Sequence, residues 1–159
     1  MNTESVLIVG VGNILREDDG IGIRIVNYLS NEIKTNNKNI CFLDCGIKTF
    51  YLLDIVREYD KIVIIDAINF QSPPGTVKLF NQNEIQTIIN QRQLFNFHSF
   101  NLNEVFLFAE YEKIIDKFLL IGIQPYSIAY KNELSNELKK KEEEIKNEVK
   151  KIINKILDF

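Results

Sequence analysis

The sequence has little histidine and cysteine and no surplus of basic residues, and each shortage argues against a class of function. One histidine and two cysteines among 159 residues are too few for a zinc site built from such side chains. A net charge of -3 and a pI near 5.3 argue against a nucleic-acid-binding surface. No apolar run approaches the ~20 residues that span a bilayer, and the first residues, MNTES, do not resemble a signal peptide. We therefore expect a cytoplasmic protein that binds neither membranes nor nucleic acid.

The two cysteines are Cys41 and Cys45, in the segment ICFLDC. If this segment is a strand, residues four apart point to the same face. At that separation they are too far apart for an unstrained disulfide. We expect two buried, free thiols, since unpaired cysteine usually behaves as a small apolar residue.

The order of the apolar segments predicts one α/β domain over residues 1–159. Hydrophobic residues make up 45% of the chain and charged residues 26%, as in ordinary soluble proteins. Short apolar runs alternate with longer amphipathic segments, which is typical of three α/β/α layers around a mostly parallel, twisted sheet of about five strands. The predicted strands are 6–9, 40–44, 61–68, 76–80 and 117–123, and the predicted helices are 20–34, 49–59, 82–91, about 102–111 and 133–157.

The segment VLIVGVGNILREDDGIG, residues 6–22, is the most informative part of the chain. Its four leading apolar residues fit a strand buried on both faces. Gly10 and Gly12 allow a tight turn or a close approach to a ligand. Glu17, Asp18 and Asp19 follow, ahead of a helix. The carboxylates are therefore expected at the carboxyl end of a strand, where open α/β sheets bind their ligands.

Asp19, Asp66 and His98 form a candidate metal site. The two aspartates follow the two most convincing buried strands, and neighbouring parallel strands lie ~4.8 Å apart, close enough for two carboxylates to share a cation. His98, the sole histidine, lies in the irregular aromatic segment 94–100, ahead of a predicted helix. Two oxygens and an imidazole suit a borderline divalent metal such as nickel, zinc or iron.

Each of these residues also has an ordinary structural explanation. Asp18 or Asp19 stands where the N-cap of the first helix is expected. Asp66 could form a turn at a strand end, and His98 could be a half-buried loop histidine. Spacing alone does not decide between these readings and a metal site.

Other chemistries remain open on the residues alone. A dinucleotide site is disfavoured, because the fingerprint G-x-G-x-x-G requires glycine where Leu15 stands and the acidic turn would repel a pyrophosphate. Asp19 and Asp66 could instead share a proton and activate a water without metal. A serine nucleophile is poorly supported, since no G-x-S-x-G elbow occurs, and cysteine–histidine catalysis is no better supported.

The segment VLIVGVGNILREDDGIGIRIV, residues 6–26, closely resembles the N-terminal motif of the hydrogenase maturation endopeptidases, a strand followed by G-x-G-N-x-L-x-x-D-[DE]-G-x-G. Three further segments follow in the family's order: IVIIDAI, which contains Asp66, then FHS with His98, and IGIQP at 121–125. The surroundings of the histidine, NFHSF, depart from the family's usual S-P-H or T-H-x. The resemblance covers residues 6–140.

This resemblance implies an aspartic-type endopeptidase that removes the C-terminal extension from a nickel–iron hydrogenase large-subunit precursor after nickel insertion. Nickel would arrive with the substrate as the recognition element, and the free enzyme need not hold metal. The family's metal-contacting positions fall on Asp19, Asp66 and His98, which would serve both catalysis and metal contact. Its glycine loops imply substrate-binding roles for Gly12, Asn13 and Gly46. We expect a monomer; the alternative is a non-catalytic nickel-binding chaperone for hydrogenase assembly.

Overall fold

The structure is a computed structural model that describes residues 4–34, 39–90 and 102–158. These residues form five strands and five α-helices. The strands are β1 (Val6–Val11), β2 (Ile40–Gly46), β3 (Lys61–Ala67), β4 (Val77–Phe80) and β5 (Phe118–Ile123). The helices are α1 (Ile21–Glu32), α2 (Leu52–Ile55), α3 (Gln82–Asn90), α4 (Leu102–Tyr111) and α5 (Asn136–Ile156). Strands and helices alternate among these residues, except that β4 follows β3 directly and α4 follows α3.

The strands form one sheet in the order β2-β1-β3-β5-β4. All neighbouring strands pair in parallel except β4, which pairs antiparallel with β5 at one edge. The three central strands are almost wholly apolar and buried, because helices cover both of their faces. Among the described residues, no helix combines the length and the apolar character needed to cross a membrane.

The two faces of the sheet support separate apolar cores. Successive residues of a strand point to opposite faces, so Leu7 and Val9 enter one core while Val6 and Ile8 enter the other. The first core is completed by α2, α3 and α4, and the second by α1 and α5. The predicted three-layer α/β/α architecture with a mostly parallel sheet of five strands is confirmed.

Several boundaries differ from the sequence-based prediction. The predicted helix 49–59 is a short α2 flanked by 3-10 turns at Thr49–Tyr51 and Val56–Glu58. The long last helix begins at Asn136 because Ser135 caps it, its hydroxyl oxygen accepting a hydrogen bond from Leu138 N at 3.2 Å. The spacing of apolar residues shows where a helix lies, but the capping residue determines where the helix begins.

Cys41 and Cys45 are free, and both side chains pack against the same apolar core, as the even spacing predicts. They are half-buried instead of fully buried, since β2 is the edge strand of the sheet and has only β1 as a neighbour.

Candidate active site

The candidate site lies at the carboxyl ends of β1 and β3, which are neighbours in the sheet. The chain leaves β1 through α1 to reach β2 on one side, and later enters β3 on the other side of β1. The covering helices α1 and α2 lie on opposite faces. Such a reversal opens a crevice above the strand ends, which is the usual ligand site of open α/β sheets. The expectation that Asp19 and Asp66 follow adjacent parallel strands is therefore correct.

Asp19 is held in a 3-10 turn, Glu17–Gly20, which we call the acidic turn. Its side chain is only 5% exposed. The backbone N–H of Asn13 donates to both the Asp19 carboxylate oxygen Oδ2 at 3.1 Å and the Asp19 carbonyl oxygen at 3.2 Å. The Asp19 N–H in turn donates to the carbonyl of Arg16 at 3.0 Å. These bonds close the loop after β1 and direct the carboxylate back toward the strand end.

Gly12 lies between the two aspartates. Its φ of 132° is a backbone conformation that glycine adopts readily and other residues rarely do. A Cβ atom at Gly12 would overlap the Asp19 carbonyl oxygen and would lie 3.7 Å from the Asp66 carboxylate oxygen Oδ1. The missing side chain therefore allows the acidic turn to pack directly onto the strand end beside Asp66.

Asp66 is the penultimate residue of β3 and is only 2% exposed. Its Oδ1 accepts a hydrogen bond from the Ala67 backbone N–H at 2.8 Å. Burying a carboxylate is unfavourable unless hydrogen bonds or opposite charges compensate it. Two buried, hydrogen-bonded aspartates beside one glycine mark this strand end as a candidate functional site.

The predicted substrate-binding residues Asn13 and Gly46 lie at the same edge of the sheet. The Asn13 side-chain oxygen accepts a hydrogen bond from the Leu15 N–H at 3.0 Å, so it shapes the loop. Gly46 has a φ of 56° and its carbonyl accepts a hydrogen bond from Gly12 N at 3.1 Å. A Cβ at Gly46 would meet no atom of the described residues within 4 Å. Their contact with substrate stays a prediction.

His98 lies outside the described residues, so the structure places two members of the predicted triad. Within the described ranges, no group of three or more histidine, cysteine, aspartate or glutamate side chains could hold a metal ion. The predicted set of two carboxylates and one imidazole has the chemistry that borderline divalent metals accept. The triad as a whole stays a prediction.

The suggestion that Asp18 or Asp19 caps the first helix is wrong. The N-cap of α1 is Gly20, because the acidic turn places both aspartates before the helix begins. Asp18 is fully buried, and its carboxylate accepts hydrogen bonds from distant residues around the start of α5. Sequence reasoning missed this role because the partners lie more than 100 positions away.

Gln124 is a second residue whose role sequence reasoning missed. Its side chain is 6% exposed, and its Oε1 accepts hydrogen bonds from the Phe70 and Ser72 N–H groups at 2.9 and 3.2 Å. Its Nε2 donates to Asn69 Oδ1 at 3.1 Å. Gln124 therefore ties the loop after β3 to the end of β5. The sequence signal for this role is a single amide side chain directly before Pro125, at the end of an apolar strand.

Cys45 is a poor nucleophile at neutral pH. Burial raises the pKa of its thiol to about 11, and the adjacent Asp44 carboxylate adds to that shift. Since the thiolate is the reactive form, about 100-fold less of it exists at pH 8 than for an ordinary cysteine.

We expect slow alkylation of Cys45 by iodoacetamide at pH 8, accelerating as the pH rises toward 11. Peptide mapping by mass spectrometry measures this rate, with Cys45→Ser to assign the site; labelling as fast as a free thiol would contradict it.

A comparison with protein-family models gives a match, described as hydrogenase maturation protease, over residues 23–158. The chain belongs to the hydrogenase maturation protease family. Among curated proteins, it is 33% identical over 127 residues to the hydrogenase expression/formation protein HupD of Thiocapsa roseopersicina, and 30% identical over 124 residues to HupD of Rhizobium leguminosarum bv. viciae. Each alignment covers 77% of this chain, but only 55% and 60% of the respective relative.

Solved structures of hydrogenase maturation proteases have the same fold. The hydrogenase maturating endopeptidase HybD from E. coli superposes with a TM-score of 0.76 at 26% identity, covering 91% of this chain and 89% of that protein. HybD from Thermococcus kodakarensis, a [NiFe] hydrogenase maturation protease, gives a TM-score of 0.70 at 26% identity, with coverages of 93% and 98%. The family match begins at residue 23, shortly after the acidic turn and directly after Gly22.

Proposed function

We propose that this protein is an endopeptidase that removes a C-terminal extension from the large-subunit precursor of a nickel–iron hydrogenase. The observation that carries the proposal is the pair of buried carboxylates, Asp19 and Asp66, at the ends of adjacent parallel strands in a member of the hydrogenase maturation protease family. We further propose that it acts in the cytoplasm as a monomer.

Asp19, Asp66 and His98 bind the nickel that the precursor already carries. Carboxylate oxygens and an imidazole nitrogen complete the coordination of a borderline metal held by other ligands. Nickel is thus part of the substrate and acts as its recognition element. Docking through the metal holds the precursor's C-terminal segment at the strand ends, which raises the effective concentration of the scissile bond.

Cleavage adds one water across the peptide bond. The water oxygen bonds to the carbonyl carbon, the C–N bond breaks, one water proton passes to the departing amine, and the other stays with the new carboxyl group. A carboxylate beside the bound segment is a suitable acceptor for the proton of the attacking water. Asp19 and Asp66 are both almost excluded from solvent, so a charge on either carboxylate would act at this point with little screening.

Nickel dependence is the first test of this function. Purified protein is incubated with nickel-loaded and nickel-free forms of the large-subunit precursors from the same cell, and the intact mass of each is measured. We expect loss of the C-terminal segment from one loaded precursor and no change in any nickel-free form, because only the loaded form presents the metal to the carboxylates.

The outcomes separate two functions. A stable complex with a loaded precursor of unchanged mass would favour a non-catalytic nickel-binding module instead of an endopeptidase. Equal cleavage of the loaded and nickel-free forms would contradict the role of nickel while leaving the peptidase activity in place.

A further inference from the structure

Four hydrogen bonds hold the carboxylate of Asp18 in the acidic turn. Asp18 is 0% exposed. Its Oδ2 accepts hydrogen bonds from the backbone N–H groups of Tyr126 and Ser127 at 2.9 and 3.0 Å, and from the Ser135 hydroxyl at 2.7 Å. Its Oδ1 accepts from the Ser135 backbone N–H at 2.8 Å. Three of these four hydrogen bonds fall on Oδ2 and one on Oδ1, so both oxygens of the Asp18 carboxylate are held by residues 126–135.

Backbone hydrogen bonds join the same two parts of the chain. The Asp18 N–H donates to the Ser127 carbonyl at 3.1 Å, and the Glu17 N–H donates to the Lys131 carbonyl at 2.9 Å. In return, the Lys131 N–H donates to the Leu15 carbonyl at 2.9 Å. The segment 126–135 therefore lies along the outer side of the acidic turn, and the Asp18 carboxylate is the buried centre of that contact.

The charge of Asp18 is placed where the fold can stabilise it. Ser135 is the N-cap of the 21-residue helix α5, and its hydroxyl joins the helix to Asp18. The positive end of a helix dipole and exposed N–H groups at a helix N-terminus both favour a nearby anion. Asp18 thereby extends the cap of α5 into the acidic turn.

We propose that Asp18 is a positioning residue that fixes the direction of the Asp19 carboxylate by locking the acidic turn against segment 126–135. Asp18 and Asp19 are joined by one peptide unit in the acidic turn. If the Asp18 carboxylate loses its hydrogen bonds to segment 126–135, that peptide unit can rotate and the Asp19 side chain turns with it. The Asp19 contacts with Asn13 would then be lost. The catalytic consequence rests on the function proposed for Asp19, whereas the structural consequence does not.

Asp18→Asn is the direct test. Asparagine keeps the shape but places an NH2 group against at least one N–H donor, which leaves buried donors facing each other. The readout is the amide proton of Asn13, which donates to Asp19 Oδ2, observed by NMR on the free protein. We expect this resonance to move upfield in Asp18→Asn and to stay in place in Ile145→Ala, a destabilised control with a cavity elsewhere under α5.

Ser135 variants keep the proposal testable if Asp18→Asn does not fold. Ser135→Ala removes one of the four bonds to Asp18 and should move the Asn13 amide in the same direction by a smaller amount. Ser135→Thr retains the hydroxyl and should restore the wild-type position. The proposal is overturned if the Asn13 amide proton of folded Asp18→Asn keeps its wild-type chemical shift. If Asp18→Asn does not fold, an unchanged shift in Ser135→Ala overturns the proposal instead.

Single-turnover processing of nickel-loaded precursor tests the catalytic consequence. We expect Asp18→Asn to lower the rate at saturating protein by about 10- to 100-fold, the range expected for a displaced catalytic group, while Ile145→Ala retains the wild-type rate. A shifted Asn13 amide with an unchanged rate would overturn the catalytic part. If wild type processes no precursor while the amide still shifts, the proposed function has failed and the positioning contact stands.

Discussion

Replacing Asp19 by asparagine is expected to lower the rate of precursor processing by at least about 10²-fold, the lower range for loss of a general acid–base group, while the protein stays folded. Asparagine has nearly the same shape, and its side-chain oxygen still accepts the hydrogen bond from the Asn13 N–H. What it removes is the negative charge and one acceptor oxygen. Both are needed to bind a divalent metal or take a proton from water.

The rate is measured by intact mass on nickel-loaded precursor under single-turnover conditions. Asp54→Asn is the matched control, because Asp54 is an exposed carboxylate on α2 and its replacement makes the same chemical change on the surface. Circular dichroism and a urea titration establish that both variants are folded. A wild-type rate for Asp19→Asn would remove Asp19 from the site and, with it, the acidic turn as the functional centre.

Gly12→Ala is expected to lower the free energy of unfolding by about 3 to 5 kcal/mol, through backbone strain together with overpacking. The φ of 132° disfavours any side chain, and the new methyl group would overlap the Asp19 carbonyl oxygen. The acidic turn can relieve this overlap only by moving away from β1. We therefore expect the variant to lose processing activity as well as stability.

Gly46→Ala is the matched control for this prediction. Gly46 also has a positive φ, 56°, but a methyl group there would meet no atom within 4 Å in the part of the chain that the structure describes. Its expected cost is about 1 kcal/mol, from the left-handed backbone conformation alone. Urea unfolding of the two variants measures the difference. Equal losses would mean that backbone conformation alone, and not contact with the acidic turn, requires glycine at Gly12.

The sequence was sufficient to predict the architecture, because the signals for it are local. Continuous apolar runs such as 62–65 indicate strands buried on both faces, and the helical spacing of Ile145, Val149 and Ile153 indicates an amphipathic helix. Alternation of the two then leads to a layered α/β fold. Boundaries were less accurate, since the start of α5 depends on the cap at Ser135.

The location of the candidate site was also predictable, but the roles of its residues were not. Asp19 and Asp66 follow strands that a parallel sheet brings together at one edge, and the structure places them beside Gly12. The resemblance to hydrogenase maturation endopeptidases indicated the same two residues. The place of His98 relative to them is still a prediction, since it lies outside the described residues.

The sequence by itself determined that three carboxylates would follow the first strand of an α/β sheet, because strand, turn and helix signals all lie within 30 residues. Only the tertiary structure decided how Asp18 and Asp19 differ. Asp18 is buried against Tyr126, Ser127 and Ser135, whereas Asp19 faces the strand end beside Gly12. Two identical neighbours in a sequence acquire different roles when folding brings a different set of hydrogen-bond donors to each of them.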